Sequence, residues 1–140
     1  MKLPSVKSYH CAVSLNEKDL IVIGGYGSGS SSEVLSFDVE NMSGGWTILP
    51  SMNTPTYGHA CDTGSYEGRY GIFVTGGYGK DSILSSVKFY MAQEQRWVVL
   101  GAMTTARYGH TLSIVSGLPY AAGGYPFTDP VERLNGTTWE

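Results

Sequence analysis

The residues of this chain whose types could do chemistry are three histidines, two cysteines and one glycine-rich stretch ending in Lys80 and Asp81. His10, His59 and His110 would form a metal site if they converged, because zinc needs its ligand atoms about 2 Å away. Each stands just before a similar strand-forming run, so the three read as equivalent positions on separate sheets. Face-packed sheets lie about 10 Å apart, and a hydrogen bond at a strand start is the expected role instead. Cys11 and Cys61 show no CxxC and no Cys/His ligand spacing. They are expected to be reduced thiols on strands, at offset positions with no obvious partner. Gly76-Gly77-Tyr78-Gly79-Lys80-Asp81 lacks the earlier Gly and the Ser/Thr after Lys of a phosphate loop, and no helix pattern follows. There is no G-x-S-x-G and no carboxylate pair in a recognisable setting. The expectation is therefore no catalytic residue, no metal and no cofactor.

Composition narrows the partners. The 140 residues carry a net charge of −3, with 15% charged residues. No basic stripe offers a nucleic acid its electrostatic footprint. The longest apolar stretch, Leu20 to Ile23, is far too short to cross a bilayer. The opening residues, Met1 to Lys7, hold no apolar run of signal-peptide length, so a cytoplasmic protein is expected if Met1 is the natural start. Asn41-Met42-Ser43 and Asn135-Gly136-Thr137 match the glycosylation sequon, and without an export signal they read as chance. The 19 glycines and ten tyrosines, beside many Val and Ile, point to strands joined by tight turns.

The elements that position these residues recur. Ile21-Val22-Ile23-Gly24-Gly25-Tyr26, Ile72-Phe73-Val74-Thr75-Gly76-Gly77-Tyr78 and Tyr120-Ala121-Ala122-Gly123-Gly124-Tyr125 are three versions of one segment. Each follows one of the histidines, and each precedes a tryptophan: Trp46, Trp97 and Trp139. Between doublet and Trp lie Val34/Phe37, Val87/Tyr90 and Val131/Leu134. Several coincidences in register make a repeat, with units of roughly 7–52, 56–103 and 107–140. Every unit reads as four strands, the second continuous enough to be buried on both faces. Four short antiparallel strands per unit of roughly 50 residues match a propeller blade. The fold class is therefore all-β. Gly at the end of a buried strand marks close approach of a backbone or a large ring, and a Trp per blade could fill that space. Gly24, Gly25, Gly76, Gly77, Gly123, Gly124, Trp46, Trp97 and Trp139 are accordingly assigned to the inter-blade core.

A Gly doublet followed by an aromatic and then a Trp resembles the kelch repeat. Tyr90 and Trp97 reproduce its spacing, Phe37 to Trp46 is two residues longer, and Leu134 to Trp139 is two shorter and lacks the aromatic. The resemblance covers nearly the whole chain, and it implies a partial kelch-type β-propeller of three four-stranded antiparallel blades. Three units fall below the usual four to eight, so further blades or self-association are expected.

The resemblance also implies a binding surface made of two loop sets on one face. Carried onto this sequence, the first runs from Tyr26 to Ser32, Tyr78 to Ser82 and Tyr125 to Asp129. The second runs from Ser51 to Tyr57 and Ala102 to Tyr108. These offer Tyr26, Tyr57, Tyr78, Lys80, Asp81, Arg107, Tyr108 and Tyr125 as partner-binding candidates, Tyr and Arg being hot-spot residue types. Arg107 stands out because the other units have Lys7 and Thr56 in its place. The implied function is a non-catalytic protein-binding module, such as the substrate-recognition part of a ubiquitin-ligase adaptor or a cytoskeletal binder. A fragment of a kelch-type copper oxidoreductase, which would use a Tyr–Cys pair, is the alternative; a purely structural repeat is the third reading.

Overall fold

The computed structural model describes residues 2–127 and 130–140, and it is built of three four-stranded antiparallel sheets. Blade 1 contains β1 (Cys11–Leu15), β2 (Asp19–Ile23), β3 (Val34–Asp38) and β4 (Trp46–Leu49). Blade 2 contains β5 (Ala60–Tyr66), β6 (Arg69–Thr75), β7 (Val87–Met91) and β8 (Arg96–Leu100). Blade 3 contains β9 (Thr111–Val115), β10 (Leu118–Ala122), β11 (Glu132–Asn135) and β12 (Thr138–Trp139). In each sheet the strands are hydrogen-bonded in chain order. The first strands lie innermost, β1 against β5 and β5 against β9. This is a partial propeller.

Register follows from the apolar alternation. Ile23 pairs with Cys11 and Val34, and Phe37 pairs with Trp46. Successive side chains point to opposite faces of a strand, so the middle blade must be apolar on both faces. Ile72, Val74 and Tyr90 join one core with Ile21, Ile23, Val34 and Met52 of blade 1. Phe73, Phe89 and Met91 join another with Leu112, Ala121, Leu134 and Trp139 of blade 3. All five residues of β7 are buried, which is why its sequence shows so little polar alternation.

The Gly doublets have two physical causes. All six residues sit at positive φ, between 58° and 100°, where a side chain is strained. In blades 1 and 2 the first Gly also touches the next blade. A Cβ on Gly24 would stand 2.7 Å from the His59 ring, and one on Gly76 would stand 2.7 Å from the His110 ring. The ring that fills this space is therefore histidine. Tryptophan sits further out: Trp46 and Trp97 are half-buried against Phe37 and Tyr90, with ring centroids 5.2 Å apart. Trp97 Nε1 donates to the Pro50 carbonyl at the end of blade 1, 2.8 Å away, and Trp46 Nε1 makes the matching bond to the Lys2 carbonyl.

Candidate protein-binding face

The chain direction puts two kinds of connection at one end of the strands: the β2–β3 type of loop and the link from a fourth strand to the next blade. Backbone hydrogen bonds tie the two together. Tyr57 and Tyr78 exchange N–H···O bonds in both directions, and so do Tyr108 and Tyr125. Ser8 and Tyr26 do the same in blade 1. Each tyrosine after a Gly doublet is thus fixed by its backbone, and its ring is left to the surface.

Five rings of this face converge. Tyr57 lies at the centre, with ring centroids of Tyr26 at 5.2 Å, Tyr78 at 5.5 Å, Tyr108 at 5.9 Å and Tyr9 at 6.3 Å. Tyr108 also stands 6.4 Å from both Tyr9 and Tyr78. The arrangement joins residues from all three blades, with tilted and edge-on contacts that aromatic pairs favour. Burial, and then the neighbouring phenols of Tyr108, Tyr78, Tyr26 and Tyr9, hold the Tyr57 hydroxyl above its ordinary pKa. The Tyr57 phenol stays neutral at physiological pH and offers a ring face and a hydroxyl group.

Of the candidates read from sequence, Tyr26, Tyr57, Tyr78 and Tyr108 come together here. Tyr125 does not; it is exposed and packs on Phe127, 5.6 Å away. Lys80 and Asp81 are exposed on the loop beside Tyr78. Of the loop from Tyr125 to Asp129, Thr128 and Asp129 lie outside the described residues. Tyr9 was missed. It is 63% exposed and holds φ = 52°, where units two and three place Gly58 and Gly109, both at 64°. A tyrosine in a glycine's register was the available signal. These three residues also link the blades around the axis: Gly58 N–H donates to the Tyr9 carbonyl, and Gly109 N–H to the Gly58 carbonyl, each at 2.8 Å.

Arg107 requires a correction. Its side chain is 0% exposed, so it presents nothing to a partner. Its Nη2 pairs with Glu132 Oε1 at 2.9 Å, and Nη1 donates to the Gly123 carbonyl at 2.8 Å. Nη2 also donates to the Pro130 carbonyl. Burial pushes the Glu132 carboxyl up, but hydrogen bonds from the Thr104 hydroxyl, from Arg107 and from the Thr104 and Thr105 backbone outweigh it and hold the group below the usual range. Spacing alone marks Arg107 as unforced by the repeat; its actual demand comes from Glu132, twenty-five residues away.

The histidines His59 and His110 are seam residues. His59 Nε2 lies 3.0 Å from the Ile23 carbonyl of blade 1, and His110 Nε2 lies 2.8 Å from the Thr75 hydroxyl of blade 2. Burial lowers the pKa of each to about 4. They are neutral at pH 7, and each makes its inter-blade hydrogen bond in that form.

The cysteines are not free thiols: Cys11 and Cys61 form a disulfide between β1 and β5. The offset that hid the pair is its geometric condition. Cys11 is one residue past His10 and Cys61 two past His59, so alternation turns one toward the next blade and the other toward the previous blade. Ala60 and Leu112 repeat the same facing relation in the core between blades 2 and 3. Because each sulfur is bonded to the other, neither is available for the Tyr–Cys pair of a copper oxidase. Disulfides persist in oxidising compartments, which speaks against the cytoplasmic expectation.

No protein-family model matches the chain. Curated relatives do. Kelch-like protein 23 of Homo sapiens is 33% identical over 117 residues, which is 81% of this chain and 20% of that protein. The Mus musculus protein of the same name gives the same figures. A RING finger domain and kelch repeat-containing protein of Dictyostelium discoideum is 30% identical over 109 residues, 77% of this chain and 10% of that protein. The chain spans about a fifth of the length of the Kelch-like protein 23 relatives.

Proposed function

Because the chain belongs to the kelch-repeat proteins, we propose that it is a protein-recognition module that binds its partner through the tyrosine cluster on the loop face. The observation that carries this reading is the convergence of Tyr9, Tyr26, Tyr57, Tyr78 and Tyr108 from three blades onto one partly exposed patch. Tyrosine gives large, rigid contact area at low conformational-entropy cost and also carries a hydrogen-bonding tip. Lys80 and Asp81 flank the patch as a polar rim, where charge sets orientation and on-rate more than affinity. Of the groups that could react, His59 and His110 are committed to seams and the cysteines to each other, while His10 is exposed beside Tyr9. Recognition of a protein to be modified, as in a ligase adaptor, and capture of a structural filament would both use such a face. The inter-blade disulfide favours a partner met outside a reducing cytoplasm.

The test uses the intact protein. A photo-crosslinking residue in place of Ser82, beside the cluster, identifies the partner. Its affinity is then compared between the parent and Tyr57→Ala. Loss of a hot-spot ring costs about 2 kcal/mol or more, a Kd rise of about thirtyfold. Unchanged affinity in Tyr57→Ala and Tyr78→Ala alike would remove the cluster from the binding site.

A further inference from the structure

Both asparagines of the Asn-x-Ser/Thr sequences are exposed, and they occupy matching places in the fold. Asn41 lies in the turn between β3 and β4 of blade 1, and Asn135 begins the turn between β11 and β12 of blade 3. These are the hairpins between the third and fourth strands, at the outer edge of each sheet. They lie at the opposite end of the strands from the loops that carry Tyr26 and Tyr78. The intervening residues are Met42 and Gly136, neither of which blocks the sequon as proline would. Ser43 Oγ donates to Asn41 Oδ1 at 3.0 Å, so the sequon hydroxyl already lies against the amide group it serves. The matching turn of blade 2, Ala92 to Gln95, carries no such sequence.

An independent feature points to the compartment where such sites are used. The Cys11–Cys61 bridge joins two blades across fifty residues, and structural disulfides of this kind form and persist in oxidising compartments. We propose that the chain matures in the secretory pathway and that Asn41 and Asn135 carry N-linked glycans. At each site the asparagine amide nitrogen bonds to C1 of a sugar held on a lipid pyrophosphate. The C1–O bond to the pyrophosphate breaks, the lipid pyrophosphate leaves, and the amide proton passes to a carboxylate base of the transferase. The disulfide forms by exchange with the disulfide of an oxidoreductase. The two thiols lose two electrons and two protons, and the oxidoreductase leaves as its dithiol. Glycans on these two turns leave the tyrosine face open; beyond Asn135, the Thr137 carbonyl lies against Gly101 of blade 2.

Protein taken from the cells that make it, with thiols alkylated at lysis, tests this directly. After enzymatic removal of N-glycans, which converts a glycosylated asparagine to aspartate, residues 41 and 135 are expected to read as aspartate. Cys11 and Cys61 are expected to resist alkylation until reduced. Ser43→Ala and Thr137→Ala should each remove one glycan and leave the melting temperature unchanged. Asparagine at both positions after treatment, or alkylation of the two cysteines without reduction, overturns the proposal. Asparagine at one position alone overturns the assignment of that site.

Discussion

The seam between blades 1 and 2 and the seam between blades 2 and 3 share one backbone plan and differ in their fastenings. In both, a histidine ring packs on the first Gly of the preceding doublet. In both, the second Gly donates its N–H to the connector, Gly25 to the Thr56 carbonyl at 2.9 Å and Gly77 to the Arg107 carbonyl at 2.7 Å. Thr56 and Arg107 thus hold equivalent places, yet only Arg107 reaches onward into its own blade, through Glu132. The Thr56 hydroxyl bonds to the nearby Thr54 carbonyl. At the register position of Glu132, blade 2 has Lys88, buried with its pKa lowered by desolvation and without an ion pair among the described residues. The seam that lacks the charge network is the one crossed by the disulfide. In a repeat array, stability is a sum of unit and neighbour terms. The pattern shows that a neighbour term can be met by unrelated chemistry provided the backbone plan is kept.

Acid strikes what the seams share, and it has the largest expected effect. His59 and His110 have folded pKa values of about 4, against the ordinary histidine value of 6.5 expected once the chain unfolds. Between these values the unfolded chain binds more protons, so the histidine contribution is complete above about pH 6.5 and is lost as pH falls to about 4. Each contribution is on the order of 3 kcal/mol, gone by about pH 4. The check is the urea midpoint at several pH values. A double variant, His59→Gln with His110→Gln, should flatten the profile in that window; an unchanged slope would show that the rings do not hold the seams.

Arg107→Ala comes next and separates the two seams. It leaves the Glu132 carboxylate buried and unpaired, which costs about 3–5 kcal/mol. Hydrogen exchange should open blade 3 and spare blade 1. Equal loss of protection in both would break the comparison.

Reduction of Cys11–Cys61, or Cys11→Ser with Cys61→Ser, should cost about 2–4 kcal/mol and fall on the other seam. Thr56→Arg with Lys88→Glu places an Arg–Glu pair at the positions of Arg107 and Glu132. That pair should recover part of the loss in the denaturant midpoint, and no recovery would mean that the two fastenings are not interchangeable.

The smallest effect is expected for Tyr57→Ala. Its ring is partly exposed, so its removal should change stability by about 1 kcal/mol or less, read as a small shift in melting temperature.

Local sequence shows what is repeated and hides what is reciprocal. The doublets announce the strand ends because positive φ and a close neighbour both demand glycine at the same place, as Gly24 and Gly76 show. The second-strand apolar run of Ile72 to Val74 announces a sheet covered on both faces, and those residues of β6 are buried. Size points to Trp as the residue that fills the space over the glycines; the smaller His59 and His110 rings do so because they also reach a partner across the seam. Arg107 looks like a surface residue because its need is set by Glu132, and that need exists only once β11 is folded beside the connector. The cysteines look mismatched because unit-by-unit alignment compares like positions, whereas facing blades pair unlike ones.

The line of hydrogen bonds through Tyr9, Gly58 and Gly109 has a sense of direction. Every donor points back to the preceding blade, and every acceptor faces forward to the next. A contact that extends this line is therefore heterologous, one surface meeting a different one, and it repeats under rotation about the axis. Two identical blade faces brought together by a two-fold axis would set donor against donor or acceptor against acceptor. Along this line the backbone thus favours head-to-tail contacts over isologous ones, and such contacts form rings when the rotation per blade divides a full turn.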